Sequence, residues 1–295
     1  MTISQIRSYL EDIEKDTTFF EQKNFDRRAE AIDFLEFHVI GEAETLTEKS
    51  KPGDWILLKQ HAEKLKAELE QIDDMLFKKL RANIRAGNCT GKAFKDLVNE
   101  YFDLGSEAAG EPGYDNLDLF INRLFPFDIP GQTKDLEPEM VYYQKTPARV
   151  VFELAEKCRF TQDDVFFDIG SGLGQVAILV NLLTDVTARG IEFEPAFCNY
   201  ARGCAAELHL PGVTFSNTDA RKADYSEGTV FFLYTPFTGK MLEEVLELLR
   251  KESIKRQIRV VTYGPCTPQV GLQNWLQSDC PPDNNIYRLA FFSSI

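Results

Sequence analysis

Val165-Phe166-Phe167-Asp168-Ile169-Gly170-Ser171-Gly172-Leu173-Gly174-Gln175 reads as a short apolar strand that runs through a glycine-rich turn into a helix. The strand ends at Asp168 or Ile169. Gly170 and Gly172, with Ser171 between them, let the chain turn tightly and let a ligand approach the main chain. Gly174 removes a side chain where the helix starts, and the helix N-terminus presents free N–H groups.

Strand-like and helical runs alternate from there to the C-terminus. After the helix at 175–183 come a strand at 187–192, a helix from Pro195 to about Leu208, and a short strand at 214–217. The run TVFFLY (229–234) has the composition of a buried strand. It precedes a helix at 240–251, a strand at 258–263, a helix at 268–276 and one last strand at 286–293. This alternation predicts an α/β fold with a doubly wound, mostly parallel sheet covered on both faces. Ligands bind such sheets beyond the carboxyl ends of the strands, where the strand order reverses.

The acids at those ends indicate which ligand. The glycine spacing is GxGxG, not the GxGxxG of a dinucleotide turn, and Asp168 stands two residues before the first glycine. A carboxylate repels a pyrophosphate and attracts an ammonium group. Glu192 ends the second strand and suits two ribose hydroxyls. Asp219, with Ala220 beside it, follows the third strand and suits an adenine amino group. Ammonium, ribose and adenine without phosphate describe S-adenosylmethionine better than a nicotinamide cofactor.

The region 143–265 resembles a class I S-adenosylmethionine-dependent methyltransferase. More narrowly, it is similar to the histone lysine methyltransferases that lack a SET domain and to their bacterial relatives. DDVFFDIGSGLGQV (163–176) is close to that family's first motif. The resemblance implies a Rossmann-like fold and assigns cofactor contacts to Asp168, Gly170 and Gln175. It also makes Glu192 the ribose acid and Asp219 the adenine-side acid. Tyr143 and Thr146 match the loop that closes over the cofactor, although Gln144 and Lys145 replace that loop's small and acidic residues. A helical domain ahead of the catalytic one also fits the family. Two final strands are expected of the full fold where one is evident here.

The implied reaction is in-line displacement at a sulfonium methyl, in which the protein positions the reactants and excludes water. Aromatic faces favour such cations, so Tyr143, Tyr234 and Phe237 are candidates for the reacting wall. Tyr234-Thr235-Pro236-Phe237 stands where base-methylating enzymes carry a polar residue and two prolines, with Tyr234 and Thr235 in place of the amine-holding pair. No histidine lies near these motifs to serve as a general base. The expected acceptor is a protein side chain such as lysine, or a small molecule. Two alternatives remain open here: a binding module on a fold that no longer transfers, and a nucleic-acid base methyltransferase.

Upstream, residues 1–102 read as helices. Ile3, Ile6, Leu10 and Ile13 recur at helical spacing, and a second helix spans about 26–40. Pro52-Gly53 reads as a break and Asp54 as the N-cap of a long helix that ends at Gly87. In it Leu58, Leu65 and Ile72 form one seam and Ala62, Leu69 and Leu76 a second. Such a stripe fits an antiparallel bundle and, secondarily, a protein partner. A helix over 94–102 follows, then a Gly- and Pro-containing loop at 105–115 and a helical turn at 117–124. PFDIPGQTKDLEPE (126–139) reads as a linker. The expected domains are a helical domain at 1–125 and a catalytic domain at 126–295.

Composition narrows the partners. The 295 residues carry a net charge of −14, and residues 1–130 hold 17 basic and 26 acidic side chains. Nucleic acid and anionic membrane are therefore disfavoured. Six cysteines form no CxxC pair and three histidines are scattered, so no metal site is expected and the thiols read as neutral and buried. No apolar run is long enough to cross a bilayer, and the first twenty residues hold four acids and two bases, unlike a signal or transit peptide. A cytoplasmic location is expected.

Overall fold

The computed structural model describes residues 2–41, 52–104, 113–279 and 285–295. Contacts divide the chain into two compact units. The first takes in Met1–Asn83, Leu97–Leu104 and Asp115–Leu124; the second takes in Ile84–Asp96, Gly105–Tyr114 and Phe125–Ile295.

The first unit is helical. Helix α1 (Ile3–Lys15) is capped by Thr2, whose hydroxyl accepts from the Gln5 backbone while the Gln5 side chain accepts from Thr2. Helix α2 (Phe25–Phe34) continues as a π-helical turn over Leu35–Ile40. Helix α3 (Pro52–Arg85) is 34 residues long. Pro52 and Gly53 lie inside its first turn, so they do not break the chain and Asp54 is not its N-cap. Proline is tolerated there because a first-turn N–H has no partner within the helix. Leu58, Ala62, Leu65 and Leu69 of the α3 stripe pack with Ile6, Leu10, Leu35 and Val39 in one core. Beside this core lies a buried ion pair. Arg28 Nε donates to Asp73 Oδ1 at 2.6 Å, and its guanidinium also donates to the carbonyls of Phe19, Glu21 and Gln22. The carbonyls replace the water that the guanidinium loses, which makes burial of the charge tolerable.

The second unit is built on a seven-stranded sheet with strand order β3-β2-β1-β4-β5-β7-β6. Strands β1 (Val165–Ile169), β2 (Thr187–Glu192), β3 (Val213–Asn217), β4 (Val230–Leu233) and β5 (Arg259–Thr262) are parallel. β7 (Ala290–Ser294) enters antiparallel between β5 and β6 (Leu276–Ser278). This is the Rossmann-like, doubly wound, mostly parallel sheet expected from the sequence. Connections run outward from β1 to β3, then cross back to β4 on the other side of β1. The order therefore reverses between β1 and β4. β1 and β4 are buried almost throughout, as a sheet covered on both faces requires.

Two expectations about the C-terminal part are corrected. Two strands, not one, follow the last helix, and that helix spans only Thr267–Gly271. β6 has three residues, two of them exposed, and so carries no apolar run in the sequence. The 126–139 segment is irregular, as a linker would be, but it is bonded into the second unit. Most of the loop expected at 105–115 lies outside the described residues. No helix among the described residues is long and apolar enough to cross a membrane.

Candidate active site

The carboxyl ends of β1, β2, β3 and β4 open onto one crevice in the second unit. β1 and its turn contribute Asp168, Gly170, Ser171 and Gln175. β2 contributes Glu192, and the chain after β3 contributes Asp219 and Ala220. Tyr234, Thr235 and Phe237 follow β4, and Tyr143 and Thr146 come from the segment before the first catalytic helix. Twelve of the fourteen residues singled out in the sequence thus line the same crevice. Gly172 and Gly174 shape its turn without lining it.

The turn has left-handed backbone at Gly170 (φ +80°) and Gly172 (φ +51°), a conformation that strains other residues. The Gly170 and Ser171 amides both donate to the Ile191 carbonyl at 2.9 Å, which fastens the turn to β2. Protein atoms occupy the space above these glycines. A Cβ at Gly170 would lie 2.3 Å from Cβ of Pro236, and one at Gly172 would lie 2.1 Å from Cε2 of Tyr143. On their Cβ side the glycines admit the β4 turn and the Tyr143 ring, which themselves line the crevice, and Gly170 lines it with them.

Electrostatics set Asp168 apart. It is buried, and Oδ2 has no hydrogen-bond partner among the described residues; Ser171 Oγ and Gln175 Oε1 are likewise buried and unpartnered. Burial, with the charge of Glu192 adding to it, pushes the Asp168 carboxyl up to about 8. Buried polar atoms are normally paired; here two oxygens of acceptor type, Asp168 Oδ2 and Gln175 Oε1, and one hydroxyl, Ser171 Oγ, stand unpartnered along one turn. Gln175 is held in place by its amide, which donates to the Thr146 carbonyl at 3.2 Å.

Glu192 is held differently. Oε2 accepts from the Gly172 amide and Oε1 from the Glu194 amide, each at 2.7 Å. Burial raises its carboxyl above the ordinary range, against the pull of these bonds. Asp219 is held low, first by the Arg221 side chain. Arg221 Nη2 bridges Asp219 Oδ2 and Glu137 Oε2, each at 2.6 Å. Glu192 and Asp219 are therefore fixed by the protein itself.

Among the aromatic side chains of the crevice, the Tyr143 ring lies 5.5 Å from that of Phe197, and Tyr234 meets Tyr263 edge-on at 4.9 Å. Burial raises the hydroxyls of both Tyr143 and Tyr234, so both remain phenols at neutral pH and neither is a base. Thr235 has left-handed backbone, φ +40°. Its hydroxyl donates to the Tyr263 carbonyl at 3.4 Å and accepts from the Cys266 amide at 3.0 Å. Phe237 is buried in the core and bridges to Met140. These two residues line the crevice but are tied into its frame. No histidine lines the crevice, and no cluster of metal-ligating side chains occurs among the described residues.

Sequence reasoning missed the segment 132–141 as a wall of the site. Gln132, Leu136, Met140 and Val141 line the crevice, as do Phe193 and Glu194. Glu194 caps the helix Pro195–Glu207 by accepting from the Ala196 amide at 2.9 Å. An acid directly before a proline at the start of a helix was the available signal.

With this geometry in hand, the chain can be set against known proteins. Residues 138–229, just under a third of the chain, match the family model described as Histone methylation protein DOT1. No curated protein matches. Among solved structures, the chain is similar to an RNA methyltransferase from Salinibacter ruber in complex with S-adenosyl-L-homocysteine. The identity is 26% over 51% of this chain and 92% of that one, with a TM-score of 0.40. It is also similar to a precorrin-6y C5,15-methyltransferase from Geobacter metallireducens, at 18% identity over 54% of this chain and 94% of that one, TM-score 0.40. A third is a ribosomal protein L11 methylase from Lactobacillus delbrueckii subsp. bulgaricus, at 15% identity over 49% and 76% of the two chains, TM-score 0.36. The segment that matches the DOT1 model holds the glycine turn and all three acids.

Proposed function

We propose that this protein is an S-adenosylmethionine-dependent methyltransferase whose cofactor occupies the crevice at the β1–β4 switch. The observation that carries the reading is the pair of buried, unpartnered acceptors Asp168 Oδ2 and Gln175 Oε1, with the Ser171 hydroxyl, which can donate or accept, between them. An ionised carboxylate and an amide oxygen suit an ammonium group and its neighbouring donors; a phosphate, which offers only acceptors, does not suit them. The DOT1 match over 138–229 supports the same reading.

In this account Asp168 ionises against the ligand's ammonium group, and Glu192 receives the ribose hydroxyls while the Gly172 and Glu194 amides hold its carboxylate still. Asp219 and Ala220 border the adenine, with Arg221 fixing Asp219. Thr146 acts through its carbonyl, which orients Gln175. Once bound, the cofactor supplies a sulfonium methyl open to in-line displacement. Tyr143 and Tyr234 present aromatic faces to the reacting centre and, together with Phe237 and Pro236, keep water away from it. The rigid Thr235 turn sets the position of Tyr234.

The acceptor belongs to the protein side chains, lysine among them, or to small molecules. Two features support this: the net charge of −14, which opposes a nucleic-acid backbone, and a β4 turn and tyrosine wall without a cationic side chain. The test is transfer of labelled methyl from S-adenosylmethionine into a cell extract separated into protein, nucleic-acid and metabolite fractions. Label is expected in protein or metabolites and is lost with Asp168→Ala. Label confined to nucleic acid would refute the acceptor class. No label with the native protein, together with no cofactor binding, would refute the reading.

A further inference from the structure

Glu194 stands outside the three acids at the strand ends, yet it is only 3% exposed and its carboxylate is saturated with hydrogen bonds. Oε1 accepts from the Ala196 amide and the Thr133 hydroxyl; Oε2 accepts from the Thr133 amide at 3.0 Å and the Lys134 amide at 2.8 Å. One carboxylate thus serves both a helix cap and a chain segment sixty residues away. Its own amide donates to Glu192 Oε1 at 2.7 Å.

The segment so captured is pinned at further points. Lys134 Nζ lies 3.5 Å over the Phe193 ring. Glu137 takes Arg221, which also holds Asp219. Glu139 accepts from the Met241 amide at 2.8 Å, and its carbonyl accepts from the Thr238 amide at 2.9 Å. Residues 132–139 therefore form a strap with attachments at the turns after β2, β3 and β4, and Gln132 and Leu136 line the crevice from it. Thr133 and Lys134 are themselves exposed, so little apolar burial holds that end of the strap; the Glu194 bonds do.

Resting on the reading of the crevice as a cofactor site, we propose that Glu194 is a positioning residue that clamps the 132–139 strap over the adenosine end and holds Glu192 in register with it. A carboxylate is suited to the task because it accepts on both oxygens, whereas an amide would turn an NH2 group toward either the Thr133 and Lys134 amides or the Ala196 amide.

The test uses the full chain with Glu194→Gln, Thr133→Val and the double variant. Two quantities are read: affinity for S-adenosylhomocysteine, and the rate of tryptic cleavage after Lys134 without ligand, followed by mass spectrometry. Glu194→Gln is expected to weaken binding about tenfold and to speed that cleavage by a similar factor. Thr133→Val is expected to act in the same direction, by about threefold, with the double variant less than the product of the two, because both act on the same contact between Glu194 and residue 133. Unchanged cleavage and affinity in a folded Glu194→Gln protein would overturn the proposal. Fully additive effects would also overturn it, since they would reduce Glu194 to a helix cap. Should Glu194→Gln fail to fold, Thr133→Val decides alone, and no change in either quantity would count against the clamp. A native chain that binds no S-adenosylhomocysteine would instead refute the cofactor reading, and the cleavage rates would still report on the strap.

Discussion

If the proposed cofactor seats its ammonium group on Asp168, its binding should release a proton, and the size of the effect follows from the surroundings of that carboxyl. With the carboxyl pushed up to about 8 by burial and by Glu192, the free protein at pH 7 holds Asp168 about nine-tenths protonated. An ammonium ligand needs the ionised form. Binding at pH 7 should therefore release about 0.9 proton, and affinity should rise about 50-fold from pH 6 to pH 8 before levelling off. The same shift governs stability, with a definite sign. The folded protein binds the Asp168 proton more tightly than the unfolded chain, whose carboxyl titrates near 3.9. Between those two values the folded state holds more protons, so this group lowers stability as pH rises and the loss is complete above pH 8. At pH 7 the cost is at most about 4 kcal/mol. Asp168→Asn, which mimics the protonated form, should raise the melting temperature of the unliganded protein at pH 8 while abolishing binding. Titration calorimetry of S-adenosylhomocysteine in buffers of different ionisation heat measures the proton count, and differential scanning calorimetry measures the stability. A proton release near zero at pH 7, with an affinity constant between pH 6 and 8, would refute the reasoning.

Other expectations concern packing and backbone. Gly172→Ala places a Cβ in a left-handed conformation and against the Tyr143 ring, so unfolding free energy should fall by about 1–3 kcal/mol in denaturant titrations and cofactor affinity should fall with it. Asp73→Asn leaves the Arg28 guanidinium buried without its counter-charge and should cost about 3–5 kcal/mol, measured in the same way. Leu65→Ala opens a cavity in the helical unit's core and should cost about 2–5 kcal/mol. A loss below about 1 kcal/mol in either of the last two would show that the described packing does not hold that unit together.

The parts of this molecule legible in the sequence are those whose cause is local. Val165–Ile169 is apolar because it is buried on both faces, and the glycines after it are needed for a left-handed turn. The three acids were legible because each lies at or just beyond the carboxyl end of a strand, and parallel strands bring those ends together. The α3 stripe was legible because its spacing is that of a helix face. What was hidden depends on distant partners. The 126–139 segment carries three prolines and a glycine and reads as a linker, since nothing local reveals that Glu194 captures Thr133 and Lys134. Thr235 reads as a candidate for contact with the acceptor, but its left-handed backbone and its bonds to Tyr263 and Cys266 place it in the frame. β6 was missed because two of its three side chains face solvent and its pairing with β7 is antiparallel at the sheet's edge.

The central claim is that carboxylates at adjoining strand ends hold a nucleoside with an ammonium tail. A crystal structure of the protein grown with S-adenosyl-L-homocysteine tests it most directly. The account predicts the amino group on Asp168, the ribose on Glu192 and the strap closed over the adenosine. Crystals grown at saturating ligand whose crevice stays empty, or a ligand seated with its amino group away from Asp168, would contradict it.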